Sequence, residues 1–432
     1  MSADRTQGSK NTLSYAYTSL LYLLLPAILI RLWWRGRKAP AYRQRWIERF
    51  AWHLNFPRQP RIWVHAVSFG ETQAALPLIK ALQQRYPNHS LLVTSMTPTG
   101  SAHVSKTLGH SVEHVYLPYD YPGAVRRLLD ATQPQLGIIM ETEWWPNLFF
   151  ACKQRNIPLL LANARLSERS ARAYQRFAPQ LTARTLACLS AIAAQGESDA
   201  QRLLALGAKP ETLTVTGSIK FDLELAASIQ QQAQVFRQQW AKRPVWIAAS
   251  THEGEEQIIL QAAKTVLATL PDSLLILVPR HPERFEQVFL YCQQAGLKTV
   301  RRSSGQTCNA ATQVFLGDSM GELMALYASS DVAFIGGSLI GNGGHNPLEP
   351  AALSLPVMFG PSMFNFAQIS SALLQAQAAV QLEGQQALAR QVTDWLSDKT
   401  QSATVGENGA KFVVQNRGAL QKLMQLVAKC LV

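Results

Sequence analysis

From Arg61 onward the chain alternates short apolar runs with stretches of helical periodicity, in two successive series. The first has apolar runs at Ile62–Val67, Leu91–Met96, Leu136–Met140 and Leu159–Ala162, and ends near Leu213–Thr216. A strand covered on both faces is apolar along its whole length, and strands joined through helices pair in parallel. Near Gly217 the rhythm breaks, and a polar, glutamine-rich helical stretch from Ser228 to Trp240 follows. A second series runs through Val245–Ser250, Leu274–Pro279, Gln313–Leu316, Val332–Gly336 and Pro356–Phe359. At 432 residues the chain exceeds what one core normally serves. The expected fold class is α/β, with two doubly wound, Rossmann-like domains facing each other across a cleft. Their expected limits are 61–222 and 244–402, with a linker at 223–243 and a helical tail at 403–432.

Ahead of these series, Asn11 to Ile30 contains no charged residue, which is just long enough to cross a hydrocarbon core as a helix. Trp33-Trp34 stand where an interfacial aromatic belt would, and Pro26 is tolerated in membrane helices. Arg31, Arg35, Arg37, Lys38, Arg43 and Arg45 follow, against only Arg5, Lys10 and Asp4 upstream. That asymmetry puts the body on the cytoplasmic side. Residues 1–35 are expected to be an anchor and 36–60 a basic, aromatic juxtamembrane segment. The apolar run meets arginines instead of the small residues of a cleavage site, which disfavours a signal peptide. A helix lying in the interface stays open, because Asn11, Thr12, Ser14, Thr18 and Ser19 are polar.

Forty-one Lys and Arg against 28 acidic residues give a net charge of +13, which favours an anionic partner. Many basic residues cluster beside the anchor and no nucleic-acid motif occurs, so anionic membrane or a phosphorylated substrate fits better than nucleic acid. The five cysteines are scattered and odd in number, which argues against a disulfide framework and for a reducing compartment. No ligand spacing for a metal is visible, and none is expected.

Residues His65–Leu82 read as strand end, tight turn and helix, placing Glu71 in a first helical turn at the ligand-binding edge of a sheet. Two roles compete there. Ser68-x-x-Glu71 is a capping box, and a carboxylate at that edge is also a candidate base. Thr97-Pro98-Thr99-Gly100 and Met140-Glu141-Thr142-Glu143 likewise follow strands, and Lys220 lies where the domains should meet. In the second series Pro279-Arg280 ends a strand, and arginine there can hold a phosphate. Met320-Gly321-Glu322 sits in a turn on the same edge. In Gly343-Gly344-His345-Asn346-Pro347-Leu348-Glu349, Asn346 is expected to cap a helix that begins at Pro347 and presents its N–H groups to phosphate. An ordinary capped helix is the competing expectation.

Taken together, SFGE, MTPTG, YLPYD, METEWWPN, NARLS, GSIKFD, STHEGEE, VPRHPERF, GDSMGEL and GGHNPLEPA resemble the motifs of bacterial 3-deoxy-D-manno-octulosonic acid (Kdo) transferases, from the apolar segment to the tail. The resemblance implies a GT-B fold that carries the acceptor on the N-terminal domain and CMP-Kdo on the C-terminal one. It implies inverting transfer of Kdo to a phosphorylated lipid A precursor, in lipopolysaccharide biosynthesis. It makes Glu71 the general base, supported by Glu141 and Lys220. The nucleotide would be held by Pro279-Arg280, Met320-Gly321-Glu322 and Asn346-Pro347-Leu348-Glu349. CMP-Kdo enters as a substrate, and no cofactor is implied. The rival expectations are a GT-B enzyme that uses a UDP-sugar and a non-catalytic protein that binds anionic lipid.

Overall fold

The computed structural model describes residues 3–223 and 225–431, with side chains from Tyr15 onward apart from Lys38. The side chains of Asp4, Arg5, Lys10, Asn11, Thr12, Ser14 and Lys38, which entered the expectation for the anchor, lie outside the described residues. The chain divides into two units, Met1–Asp222 with Arg417–Val432, and Leu223–Asn416.

The first unit holds seven parallel strands: β1 (Arg61–His65), β2 (Ser90–Ser95), β3 (Glu113–Tyr116), β4 (Leu136–Met140), β5 (Leu159–Ala164), β6 (Ala191–Ala194) and β7 (Leu213–Val215). Their order is β3-β2-β1-β4-β5-β6-β7. The sheet grows one way from β1 and then the other way from β4, so the switch point lies at the carboxyl ends of these two strands. Alternate residues of β1 feed opposite cores. Ile62 and Val64 pack with Leu78, Leu82 and Val93, whereas Trp63 packs with Leu92, Leu128 and Phe149. Burial on both faces is why these strands are apolar throughout.

The second unit repeats the plan with β8 (Val245–Thr251), β9 (Leu274–Pro279), β10 (Thr299–Arg301), β11 (Val314–Leu316), β12 (Val332–Ile335), β13 (Val357–Phe359) and β14 (Ala379–Gln381). The order β10-β11-β9-β8-β12-β13-β14 puts its switch point between β8 and β12. Both sheets are those of doubly wound α/β units of the GT-B type.

Four strands escape the sequence pattern. β3 is Glu-His-Val-Tyr, β6 is mostly alanine, and β10 and β14 are three-residue edge strands whose side chains are mainly polar or small. The segment expected as a linker is a packed part of the second unit. Helix Ala227–Trp240 buries Ala233, Phe236 and Trp240, spaced three and four apart, and Trp240 meets Phe315 at 5.3 Å between ring centres. The segment expected as one tail divides. Helix Lys399–Gln415 stays with the second unit, while helix Ala419–Cys430 buries Leu423 and Val427 in the first.

Residues Ala3–Lys38 form one helix, and its stretch Tyr15–Arg37 is apolar and long enough to cross a membrane. In the juxtamembrane segment two arginines, one exposed and one buried, lie over the same aromatic ring. Arg45 and Arg49 stand 4.6 and 4.3 Å from the centre of the Tyr116 ring, and Arg49 is buried.

Candidate functional site

At the first switch point, Ala66 to Ser68 carry the chain from β1 into helix Phe69–Arg85. Ser68 caps that helix by accepting the Glu71 N–H at 3.4 Å, and its hydroxyl donates to Glu71 Oε1 at 3.0 Å. The Val67 N–H donates to Glu71 Oε2 at 2.8 Å. The carboxylate thus reaches one residue further back than in a standard capping box. Burial pushes the Glu71 carboxyl up to about 7, and the nearby negative charge of Glu141 adds to this. The Val67 and Ser68 donors and the charge of Lys220 act against the rise.

Glu141 is the first residue beyond β4 and has φ +55, a left-handed conformation that costs a non-glycine residue on the order of 1–3 kcal/mol. The turn is held by the Glu141 N–H, which donates to the Ala162 carbonyl at 2.9 Å. Its carboxylate meets Lys220 Nζ at 3.3 Å. Lys220 is positioned by the short turn Ile219–Phe221, whose Ile219 N–H donates to Asn163 Oδ1 at 3.2 Å. Glu143 lies beside them. Burial pushes its carboxyl up to about 7, with the charge of Glu71 as the next contribution. Glu71, Glu141 and Lys220 therefore lie together, and Glu143 joins them. At neutral pH two carboxyls in this group are poised to take up or release a proton, beside a fixed ammonium–carboxylate pair.

The second switch point is built around a carboxylate to which the sequence analysis assigned no role. Glu255 is fully buried and accepts from the N–H groups of Gly337, Ser338 and Leu339 at 2.6, 3.1 and 3.0 Å. This ties the loop after β12 to the helix after β8. Gly337 has φ +69, and its neighbours on that side are the rings of His252 and His345. Those rings stack with centres 5.1 Å apart, and their Nε2 atoms are 2.8 Å apart, so one ring donates to the other. His281 meets His252 edge-on at 5.3 Å. Burial lowers the pKa of His252, and it lowers that of His345 to about 3; neighbouring histidines and Arg280 act in the same direction.

Arg280 follows Pro279 at the end of β9 and lies close enough to Glu349 to offset part of the burial that raises the Glu349 pKa. Asn346 Nδ2 donates to Glu349 Oε1 at 3.2 Å, and Asn346 Oδ1 accepts from the Leu348 N–H at 3.1 Å. The expected phosphate-binding helix end needs correction. The helix is Leu348–Ala352, five residues long, with Pro347 at the cap position. So short a helix has almost no dipole, and the Arg280 guanidinium supplies the positive charge instead. Met320, Gly321 and Glu322 stand beyond β11, where Gly321 has φ +92 and Glu322 is held by Arg302 at 2.8 Å and by Ser319. Glu322 is committed to Ser319 in its own turn and to Arg302 in the loop after β10. Among the described residues, no group of three or more His, Cys, Asp or Glu is placed to hold a metal ion.

Residues 44–223 match a family model described as 3-deoxy-D-manno-octulosonic-acid transferase (kdotransferase). Over its whole length the chain is similar to the 3-deoxy-D-manno-octulosonic acid transferase of Haemophilus influenzae. The two are 44% identical over 417 residues, covering 96% of this chain and 97% of that one. The enzyme of the same name from Bordetella pertussis is 35% identical, covering 94% and 97%. Among solved structures, UDP-GlcNAc 2-epimerase from Neisseria meningitidis bound to UDP-GlcNAc shares the fold, with a TM-score of 0.58 at 14% identity, covering 85% of this chain and all of that one.

Proposed function

The chain belongs to the 3-deoxy-D-manno-octulosonic acid transferase family, and from that premise we propose that it moves Kdo from CMP-Kdo to a lipid A precursor with inversion at the anomeric carbon. Glu71 is the general base. It sits at the switch point of the first unit, held by Ser68 and the Val67 N–H, with a carboxyl poised at about 7. That observation carries the mechanism. The acceptor hydroxyl gives its proton to the Glu71 carboxylate while its oxygen bonds to the anomeric carbon. The bond from that carbon to the CMP phosphate oxygen breaks on the opposite face, and the phosphate leaves with the electron pair. Inversion follows from a single displacement of this kind.

Glu141 and Lys220 support the transition state as a preorganised charge pair beside Glu71. In the second unit Arg280 is the principal counter-charge for the departing phosphate, and Asn346 with Glu349 orients the nucleotide. Pro279, Met320, Gly321, Glu322, Pro347 and Leu348 complete the nucleotide-binding edge by family resemblance. The apolar helix attaches the chain to the cytoplasmic face of the inner membrane, beside an anionic lipid substrate.

The test combines purified protein, CMP-Kdo and lipid A precursor, with product mass and CMP release recorded. Absence of a Kdo adduct would overturn the proposal. Calorimetry with CMP and UDP distinguishes the donor, with CMP expected to bind. We also propose turnover without a metal, so EDTA should leave the rate nearly unchanged; a loss restored by magnesium would refute that part.

A further inference from the structure

The apolar helix does not stand clear of the rest of the first unit. Tyr17, Thr18, Leu21, Leu25, Ile28, Leu29 and Leu32 are half-buried or buried, and they recur along one helical face. At the start of this face the contacts are polar and specific. Tyr17 Oη donates to Asp120 Oδ2 at 3.0 Å, and Thr18 Oγ1 donates to Asn147 Oδ1 at 3.1 Å. Tyr121 Oη donates to the Leu21 carbonyl at 3.0 Å, and its ring lies 5.0 Å from that of Tyr22.

Asp120 is itself buried and also accepts the N–H groups of Asn147 and Leu148, both at 2.9 Å. These residues open helix Pro146–Gln154, directly after the loop that carries Glu141 and Glu143. The opposite face of the apolar helix is bare and apolar, with Leu20, Leu23, Leu24, Ile30 and Trp34 exposed. Arg31, Arg35 and Arg37 are exposed at its end, and the Arg37 guanidinium lies 4.5 Å from the Trp33 ring centre.

We propose that this helix is a monotopic anchor, clasped to the catalytic unit through Tyr17, Thr18 and Tyr121, and that its bare face enters one leaflet of an anionic bilayer without crossing it. The proposal rests on the membrane attachment proposed above. With the clasp closed, the stretch beyond it from Leu23 to Trp34, apolar but for Arg31, is about 18 Å long at 1.5 Å per residue. A bilayer core is roughly 30 Å thick, so the stretch spans little more than one leaflet. The three arginines then meet phosphate head groups of the leaflet that the anchor enters. Through Asp120 the clasp also fixes the loop bearing Glu141 relative to that leaflet.

Two measurements on the full chain test this. A tag ahead of Met1 should resist protease added to spheroplasts and be removed in inverted vesicles, the same behaviour as the catalytic body. Removal in spheroplasts would show a crossing and overturn the proposal. Recovery of the chain in the soluble fraction would overturn membrane attachment itself, and the monotopic anchor with it. In lipid nanodiscs, Tyr17→Phe should lower the Tm of the wild type and leave that of Asp120→Asn unchanged. An equal drop in both backgrounds, or no drop in either, would show that no clasp exists.

Discussion

Glu71 packs against the start of its own helix and, in the proposed mechanism, takes the acceptor proton; substitution separates the two. Gln can keep the contacts to Ser68 and Val67, so Glu71→Gln should fold and bind CMP as the wild type does, while Kdo transfer falls roughly 10²- to 10⁴-fold. Its pH behaviour follows from the raised carboxyl. The rate should climb as pH approaches about 7 and level off above it, since the base works only when ionised. For stability the sign is the reverse. A carboxyl raised from 4.5 to about 7 contributes its full stabilisation below 4.5 and loses it as pH rises through 7. The wild-type Tm should therefore fall relative to Glu71→Gln across that window, and parallel profiles would contradict burial as the cause. Glu71, Glu141 and Lys220 were legible in the sequence because each sits in a short motif beside a strand end or at the domain junction. The histidine pair was not. His252 and His345 lie 93 positions apart and meet only because β8 and β12 are neighbours.

At the scale of elements, each unit places its functional groups by the same device, a loop leaving a switch-point strand. In the second unit the device depends on Glu255, whose four backbone donors, the N–H groups of His252, Gly337, Ser338 and Leu339, would lose their partner in Glu255→Ala. Losing this partner should cost about 3 kcal/mol or more, read as a lower Tm, because each orphaned donor costs roughly 1–3 kcal/mol. A Tm within a degree of wild type would mean that the loop after β12 is held by other contacts. Arg280→Ala should fold normally and weaken CMP binding by roughly 10- to 150-fold, the equivalent of about 1.5–3 kcal/mol for a charge-assisted contact. Unchanged affinity by calorimetry would put the phosphate elsewhere. The strands that carry these loops were readable from their apolar runs. β3, β6, β10 and β14 were not, because a polar, alanine-rich or three-residue strand owes its conformation to the neighbour it pairs with. The role of helix Ala227–Trp240 was obscured for a related reason. Its glutamines dominate the composition, while Phe236 and Trp240 decide where it packs.

For the whole molecule, the decisive feature is that the chain leaves the first unit at Asp222 and comes back to it at Arg417. The return is secured at both ends. The Asp222 carboxylate accepts the N–H groups of Gly418 and Leu420, each at 2.6 Å, and helix Ala419–Cys430 supplies Leu423, Leu426 and Val427 to the core against β5, β6 and helix Phe69–Arg85. Residues 223–416, expressed alone, should fold cooperatively, because their core is closed within one continuous stretch. Residues 1–222 alone should not, and adding the helix as a separate peptide should restore a cooperative transition; cooperative unfolding of 1–222 by itself would refute this. On the ribosome the same arrangement imposes an order. The second unit can close its core once Asn416 has emerged, whereas the first waits, with an apolar groove uncovered, until helix Ala419–Cys430 has followed. A stalled or truncated translation product would therefore carry a finished second unit and an unfinished one bearing Glu71, and would be exposed to chaperones and proteases at the groove that helix Ala419–Cys430 normally fills.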